Sequence, residues 1–127
     1  FVEAQKGGIK GHVAQNGNNF SGGQKQRLSI ARALARQAEI YIFDDTFSAL
    51  DYKTDRELRA RLKSEMKDST CLIVAQRIGT IMDADLILVM ENGKVVGQGT
   101  HRELLKNCPA YQEIAYSQLS EEELKHA

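Results

Sequence analysis

Phe20-Ser21-Gly22-Gly23-Gln24-Lys25-Gln26-Arg27-Leu28 is the stretch on which the fold turns. A polar, twin-glycine turn opens directly into a basic amphipathic helix. The first N–H groups of such a helix have no internal acceptor and its starting end is positive, so it is built to face an anion. Glycine lets that anion come close. Sixteen residues after Gln24, the apolar run Ile40-Tyr41-Ile42-Phe43 ends in Asp44-Asp45. A buried strand that delivers carboxylates at its tip is a way to hold magnesium beside phosphate. Ser48-Ala49-Leu50-Asp51 follows at once.

Outward from this centre the chain alternates. Residues 1–19 are polar and glycine-rich, with a short helix end expected at Phe1 to Gln5. Gln24 to Arg36 reads as a helix with Leu28, Ala31 and Ala35 as its apolar stripe. Glu39 to Phe43 reads as a buried strand. A helix over Tyr52 to Lys67 follows, capped by Asp51 or Ser48, with Leu58, Leu62 and Met66 on one face. Thr70 to Ala75 and Asp85 to Met90 read as two more buried strands. Glu91-Asn92-Gly93-Lys94 is a hairpin turn into Val95-Val96. Thr100-His101-Arg102-Glu103 is a capping box that opens a short helix through Lys106. Strand and helix in alternation, closed by a hairpin, predict an α/β architecture with a mainly parallel sheet.

Composition narrows the classes. The 127 residues carry 17 basic and 17 acidic side chains, so no surplus of either sign points to a polyanionic partner such as nucleic acid. No apolar run nears the roughly 20 residues of a membrane span, and no secretory signal is visible. Position 1 is Phe, which suggests that the chain starts inside a larger protein. Cys71 and Cys108 match no ligand spacing and read as two unrelated thiols, and His12, His101 and His126 are too scattered to make a metal site.

The turn at Ser21, the apolar strand, Asp44-Asp45 and Ser48-Ala49-Leu50-Asp51 together resemble the signature motif, Walker B strand and D-loop of the ATP-binding-cassette (ABC) ATPases. The resemblance implies a P-loop NTPase fold, ATP and Mg2+ as ligands, and a head-to-tail dimer with a second nucleotide-binding domain. It assigns Ser21, Gly22, Gly23 and Gln24 to the γ-phosphate of nucleotide held by that partner, Asp44 to magnesium, and Asp45 to the attacking water. Ser48 and Asp51 fall in the D-loop, where Asp51 can serve also as a helix cap. By the same resemblance, residues 1–36 are the end of a helical subdomain with the signature. Residues 37–119 are the lobe with Walker B, D-loop and switch loop, and 120–127 are a charged tail expected to fray.

Three departures from the family pattern stand out. Phe20 replaces a usual Leu. Asp45 replaces the usual Glu, which retracts the carboxylate by roughly 1.5 Å. Gln76, in Val74-Ala75-Gln76-Arg77, stands where the family has a His; its amide can donate but cannot become cationic. The coincidence of Asp45 and Gln76 implies a slow, degenerate site in one half of a heterodimeric exporter, beside an intact signature. Val13-Ala14-Gln15-Asn16-Gly17 loosely matches a loop that in exporters touches the transmembrane domains. Gly97-Gln98-Gly99-Thr100-His101 resembles the usual cassette end. No Gly-x-x-x-x-Gly-Lys-[Ser/Thr] run occurs in the 127 residues, so the chain by itself is expected to be inactive. The resemblance places it at the cytoplasmic face of the cell membrane, without nucleic acid. Two other readings remain: a chromosome-maintenance or repair ATPase, and a regulatory cassette that binds nucleotide without turnover.

Overall fold

The computed structural model describes residues 1–119, and the tail expected over 120–127 lies outside them. In chain order the elements are α1 (Gly22–Leu34), β1 (Ile40–Asp44), α2 (Tyr52–Glu65), β2 (Thr70–Val74), α3 (Ile78–Ile81), β3 (Ile87–Glu91), β4 (Lys94–Gly99), α4 (His101–Asn107) and α5 (Pro109–Gln118). They fall into two compact units that divide at Leu72/Ile73.

In the first unit, β1 pairs with β2. The Thr70 N–H donates to the Glu39 carbonyl at 2.8 Å, setting the start of β2 beside the start of β1, so the pair is parallel with α2 as its crossover. Asp51 caps α2 by accepting from the Thr54 N–H at 3.0 Å. Leu62 and Met66 are buried as their spacing predicts, with Leu58 half-buried. On α1 the buried residue is Ile30, with Ala33 and Leu34 half-buried, while Ala31 and Ala35 of the expected stripe are exposed. Ile30 and Ala33 line a hollow with Tyr41 and Phe43 of β1, so the bulkier side chain, not the alanines, sets the inward face. The expected helix end at Phe1 to Gln5 is absent: that segment forms turns, with φ of +91° at Gly7 and +52° at Gly8 diverting the chain.

In the second unit, β3 and β4 form an antiparallel hairpin in which Glu91 faces Lys94 and Ile87 faces Gly99, with a bulge between Val89 and Met90. Asn92 and Gly93 both have positive φ, 49° and 75°, the backbone that a two-residue hairpin turn requires. Thr100 and Glu103 form the reciprocal cap of α4. Helix α5 was not foreseen; Pro109 at its first position, with Tyr111 and Ala115 one turn apart, is the signal that reveals it. Ile78, Ile87, Val89, Leu104, Cys108, Tyr111 and Ala115 close into one core.

Of the strands read as buried, β1 and β3 are covered on one face only, and in β2 Ile73 alone is half-buried. Ile40 and Ile42 of β1 are 63% and 67% exposed while Tyr41 and Phe43 are buried, and Leu72, Val74, Leu88 and Met90 are likewise open. Their apolar runs suit cover on both faces, and the described residues supply one.

Two positions in the second unit give direct tests. A Cβ on Gly97 would lie 2.6 Å from Cys108 Sγ and 3.3 Å from Leu104 Cδ2. Gly97→Ala should therefore lower stability by about 1–3 kcal/mol, the range for an overfilled core. Adding Cys108→Ala should recover much of that in thermal unfolding. The His101 ring Nδ1 lies 2.7 Å from Tyr111 Oη, both residues are buried, and no partner meets His101 Nε2. Burial holds the His101 pKa below 6.5 against the opposing pull of Asp83, with Arg102 adding to the depression; burial also pushes Tyr111 up to about 12. The unfolded chain then binds the imidazole proton first, so stability is complete above pH 6.5 and declines as pH falls below it. Tm should drop as pH falls below 6.5, and His101→Gln should flatten that slope.

Candidate functional site

The start of α1 is built as a capping box. The Gln24 N–H donates to Ser21 Oγ at 3.3 Å, and the Ser21 N–H donates to Gln24 Oε1 at 2.9 Å. Ser21 thus accepts with its oxygen and keeps its own hydroxyl hydrogen for a ligand. Gly22 and Gly23 occupy the first turn, where a helix has no internal acceptor for its N–H groups. A Cβ added at Gly22 would meet nothing within 4 Å, so the approach to this turn is open. The helix end, the retained hydroxyl hydrogen and the open glycine fit a phosphate group.

The segment leading into α1 is tied down locally. Asn19 Oδ1 accepts from the Ala14 N–H and Asn19 Nδ2 donates to the His12 carbonyl, both at 3.0 Å. Between these anchors Gln15–Gly17 makes a tight turn, with Asn16 at φ 57° and the Lys25 stem lying over Gly17. Asn19 was not singled out from the sequence; an Asn that closes a glycine- and Asn-rich loop is the available signal. Behind the turn, Phe20 meets Phe1 edge-on at 6.2 Å, and the Arg27 guanidinium sits 4.9 Å over the Phe1 ring. The apolar change to Phe20 is absorbed in that cluster.

Asp44 is the last residue of β1 and Asp45 follows it at φ 48°; both are exposed. Alternation along β1 puts Asp44 on the same open face as Ile40 and Ile42. The turn after it closes on itself: Ser48 Oγ donates to the Asp45 carbonyl at 2.9 Å. Phe47 and Leu50 are buried, and the Phe47 ring lies 5.6 Å from that of Phe43. The loop is therefore fixed by apolar burial beneath exposed carboxylates. A single exposed carboxylate at a strand tip with a second beside it suits magnesium, which keeps several waters and takes one or two carboxylates with phosphate oxygens. Among the described residues no cluster of three or more His, Cys, Asp or Glu forms a cage of its own.

The start of α1 lies close to the turn after β1. A Cβ on Gly23 would lie 3.5 Å from both the Ala49 carbonyl oxygen and Leu50 Cδ2. Gly23 thus faces Ala49 and Leu50 within the first unit. The Thr54 hydrogen bond to Asp51 holds that carboxyl below its ordinary range, so it stays ionised as a cap. Gln76 is exposed and lies in the second unit, between β2 and α3; its carbonyl accepts from Gln118. Gln118 was missed because no local pattern links positions 42 residues apart. An open hollow of about 370 Å3 beside α1 and β1 is lined by Ile30, Ile40 and Ile42 among others, with Arg36 its one charged side chain, and is not the anion site.

Comparison with known proteins agrees with this geometry. A family profile described as "ABC transporter" matches residues 4–48. An uncharacterised ABC transporter ATP-binding protein of Mycobacterium tuberculosis is 53% identical over 114 residues, covering 90% of this chain and 20% of that protein. An ATP-dependent lipid A-core flippase of Photobacterium profundum is 42% identical over 114 residues, again 90% of this chain and 20% of the flippase. Among solved structures, a bacterial Atm1-family ABC exporter with ATP bound superposes with a TM-score of 0.89 at 35% identity, over 95% of this chain and 21% of that one. The chain belongs to the ABC transporter family and has its α/β, P-loop NTPase type of fold. It spans about a fifth of the length of these relatives. Among the described residues no helix is long and apolar enough to cross a membrane.

Open space at Gly22 gives a test free of any assumption about ligand. Gly22→Asp should leave Tm unchanged or raise it slightly, because nothing is displaced and a carboxylate at the positive helix end contributes about 0.3–1 kcal/mol. A Tm loss of several degrees would show that the turn is not open.

Proposed function

We propose that this chain is the part, from the signature motif onward, of a nucleotide-binding domain in an ABC exporter that couples ATP binding and hydrolysis to transport across a membrane. It works at the cytoplasmic face with transmembrane domains and a second nucleotide-binding domain. The observation that carries this is the capped, open helix start at Ser21-Gly22-Gly23-Gln24, packed by Gly23 against the loop that follows Asp44 and Asp45. An anion site on the helix and carboxylates on the strand are what a cassette uses for two different nucleotides, one on its partner and one of its own.

Each residue then has a task. Ser21 donates its hydroxyl hydrogen, and Gly22 and Gly23 donate their N–H groups, to the γ-phosphate held by the partner. Gln24 keeps Ser21 oriented through the reciprocal cap. Asp44 takes magnesium, which when bound neutralises charge developing on the phosphates. Asp45 orients the water in its own site from a side chain one methylene short of the usual glutamate. A shortfall of about 1 Å is enough to cost on the order of a hundredfold in rate. Gln76 has an amide N–H to offer and no positive charge. The chain is thus the half of a heterodimer whose own site turns over slowly and whose signature completes the faster site on the partner.

Two measurements on the full-length protein, purified with its partner, separate these claims. Gly22→Asp should nearly abolish ATPase while leaving folding intact, since it sets a carboxylate against the partner's γ-phosphate; unchanged turnover would remove the trans role. Asp45→Glu with Gln76→His should raise turnover at this chain's own site, read with the partner's site inactivated. If the rate stays where it was, these two residues do not limit it.

A further inference from the structure

Gln118, the last residue of α5, has both ends of its side-chain amide bound to one short piece of backbone. Its Nε2 donates to the Gln76 carbonyl at 2.8 Å, and its Oε1 accepts from the Ile78 N–H at 2.9 Å. Between these two groups lies Arg77, extended at φ −98° and ψ 124°. In extended backbone the carbonyl before a residue and the N–H after it point to the same side. A primary amide, with donor and acceptor in one plane, therefore pairs with them as a neighbouring strand would. Gln118 acts as a one-residue strand partner, reaching across 42 and 40 positions of sequence.

The helix that carries this amide is itself fixed. Ala115 and Tyr111 are buried in the same core as Ile78, which is 2% exposed, and Gln118 follows Ala115 at the spacing that keeps it on that face. One end of the clamped segment, Ile78, is thus anchored by burial, whereas Gln76 is exposed and has no apolar cover to hold it. The amide supplies what burial does not.

We infer that Gln118 is a positioning residue for Gln76. By closing the turn between β2 and α3 onto the end of α5, it sets where the Gln76 amide stands and so how this chain's own site holds nucleotide. This rests on the assignment of Gln76 to that site made above. Gln118→Leu removes both hydrogen bonds at an exposed position without touching the core. Gln118→Glu keeps the acceptor for Ile78 and loses the donor for Gln76.

The test uses the full-length protein with its partner and three variants, Gln118→Leu, Gln118→Glu and Gln76→Ala. Amide exchange at Ile78 reports the clamp, and ATP KM and kcat at this chain's own site report its consequence. Gln118→Leu should speed Ile78 exchange about two- to tenfold, the range for one lost hydrogen bond. It should raise KM in the same direction as Gln76→Ala, with Gln118→Glu in between and kcat little changed. Unaltered Ile78 exchange in Gln118→Leu overturns the clamp. Faster exchange with wild-type KM, while Gln76→Ala shifts KM, overturns the positioning role and leaves the role of Gln76 standing. Wild-type KM in both Gln118→Leu and Gln76→Ala removes Gln76 from the site and this inference with it.

Discussion

The burial of Phe47 and Leu50 beneath the turn that follows β1 is the constraint on which the site depends. That turn is fixed because two apolar side chains leave water there, because Ser48 closes onto the Asp45 carbonyl and because the Leu50 N–H donates to the Phe47 carbonyl at 3.2 Å. Once it is fixed, the Ala49 carbonyl stands where a side chain at Gly23 would touch it, so the start of α1 lies close to this turn. The start of α1 and the loop that follows the strand tip are thereby brought side by side. Their adjacency comes from loop packing, not from either element alone.

Much of this was legible because the signals are local. The capping box at Thr100, the Asn92-Gly93 turn and the Leu62/Met66 spacing each need only a few neighbouring residues, and each formed as read. What sequence missed depends on partners far along the chain. The inward face of α1 is chosen by what Ile30 meets on β1, so a stripe drawn through Leu28, Ala31 and Ala35 fails although its period is correct. The amide of Gln118 serves a turn 40 residues away, and no periodicity encodes that. Helix α5 was missed for a different reason: its signal is Pro109 at the first helical position, where a missing N–H costs nothing.

The strands show the same distinction in energetic form. Runs such as Ile40-Tyr41-Ile42-Phe43 are apolar on both faces, which is the composition of a strand covered on both sides. Tyr41 and Phe43 find their cover within the first unit, and Ile40 and Ile42 do not.

Asp45 joins the backbone to the chemistry. Its φ of 48° is a conformation in which a side chain crowds the following carbonyl, and Asp enters it more readily than most residues because its short polar side chain bonds locally. A glutamate there has less of that local compensation and a longer reach. At this position the shorter side chain suits the backbone that the turn requires. At the start of α1, Ser21 satisfies the helix with its oxygen and keeps its hydrogen, so the structural and ligand-binding demands fall on different atoms of one hydroxyl. That difference is what the proposed asymmetry, an intact signature turn beside a shortened carboxylate, rests on in physical terms.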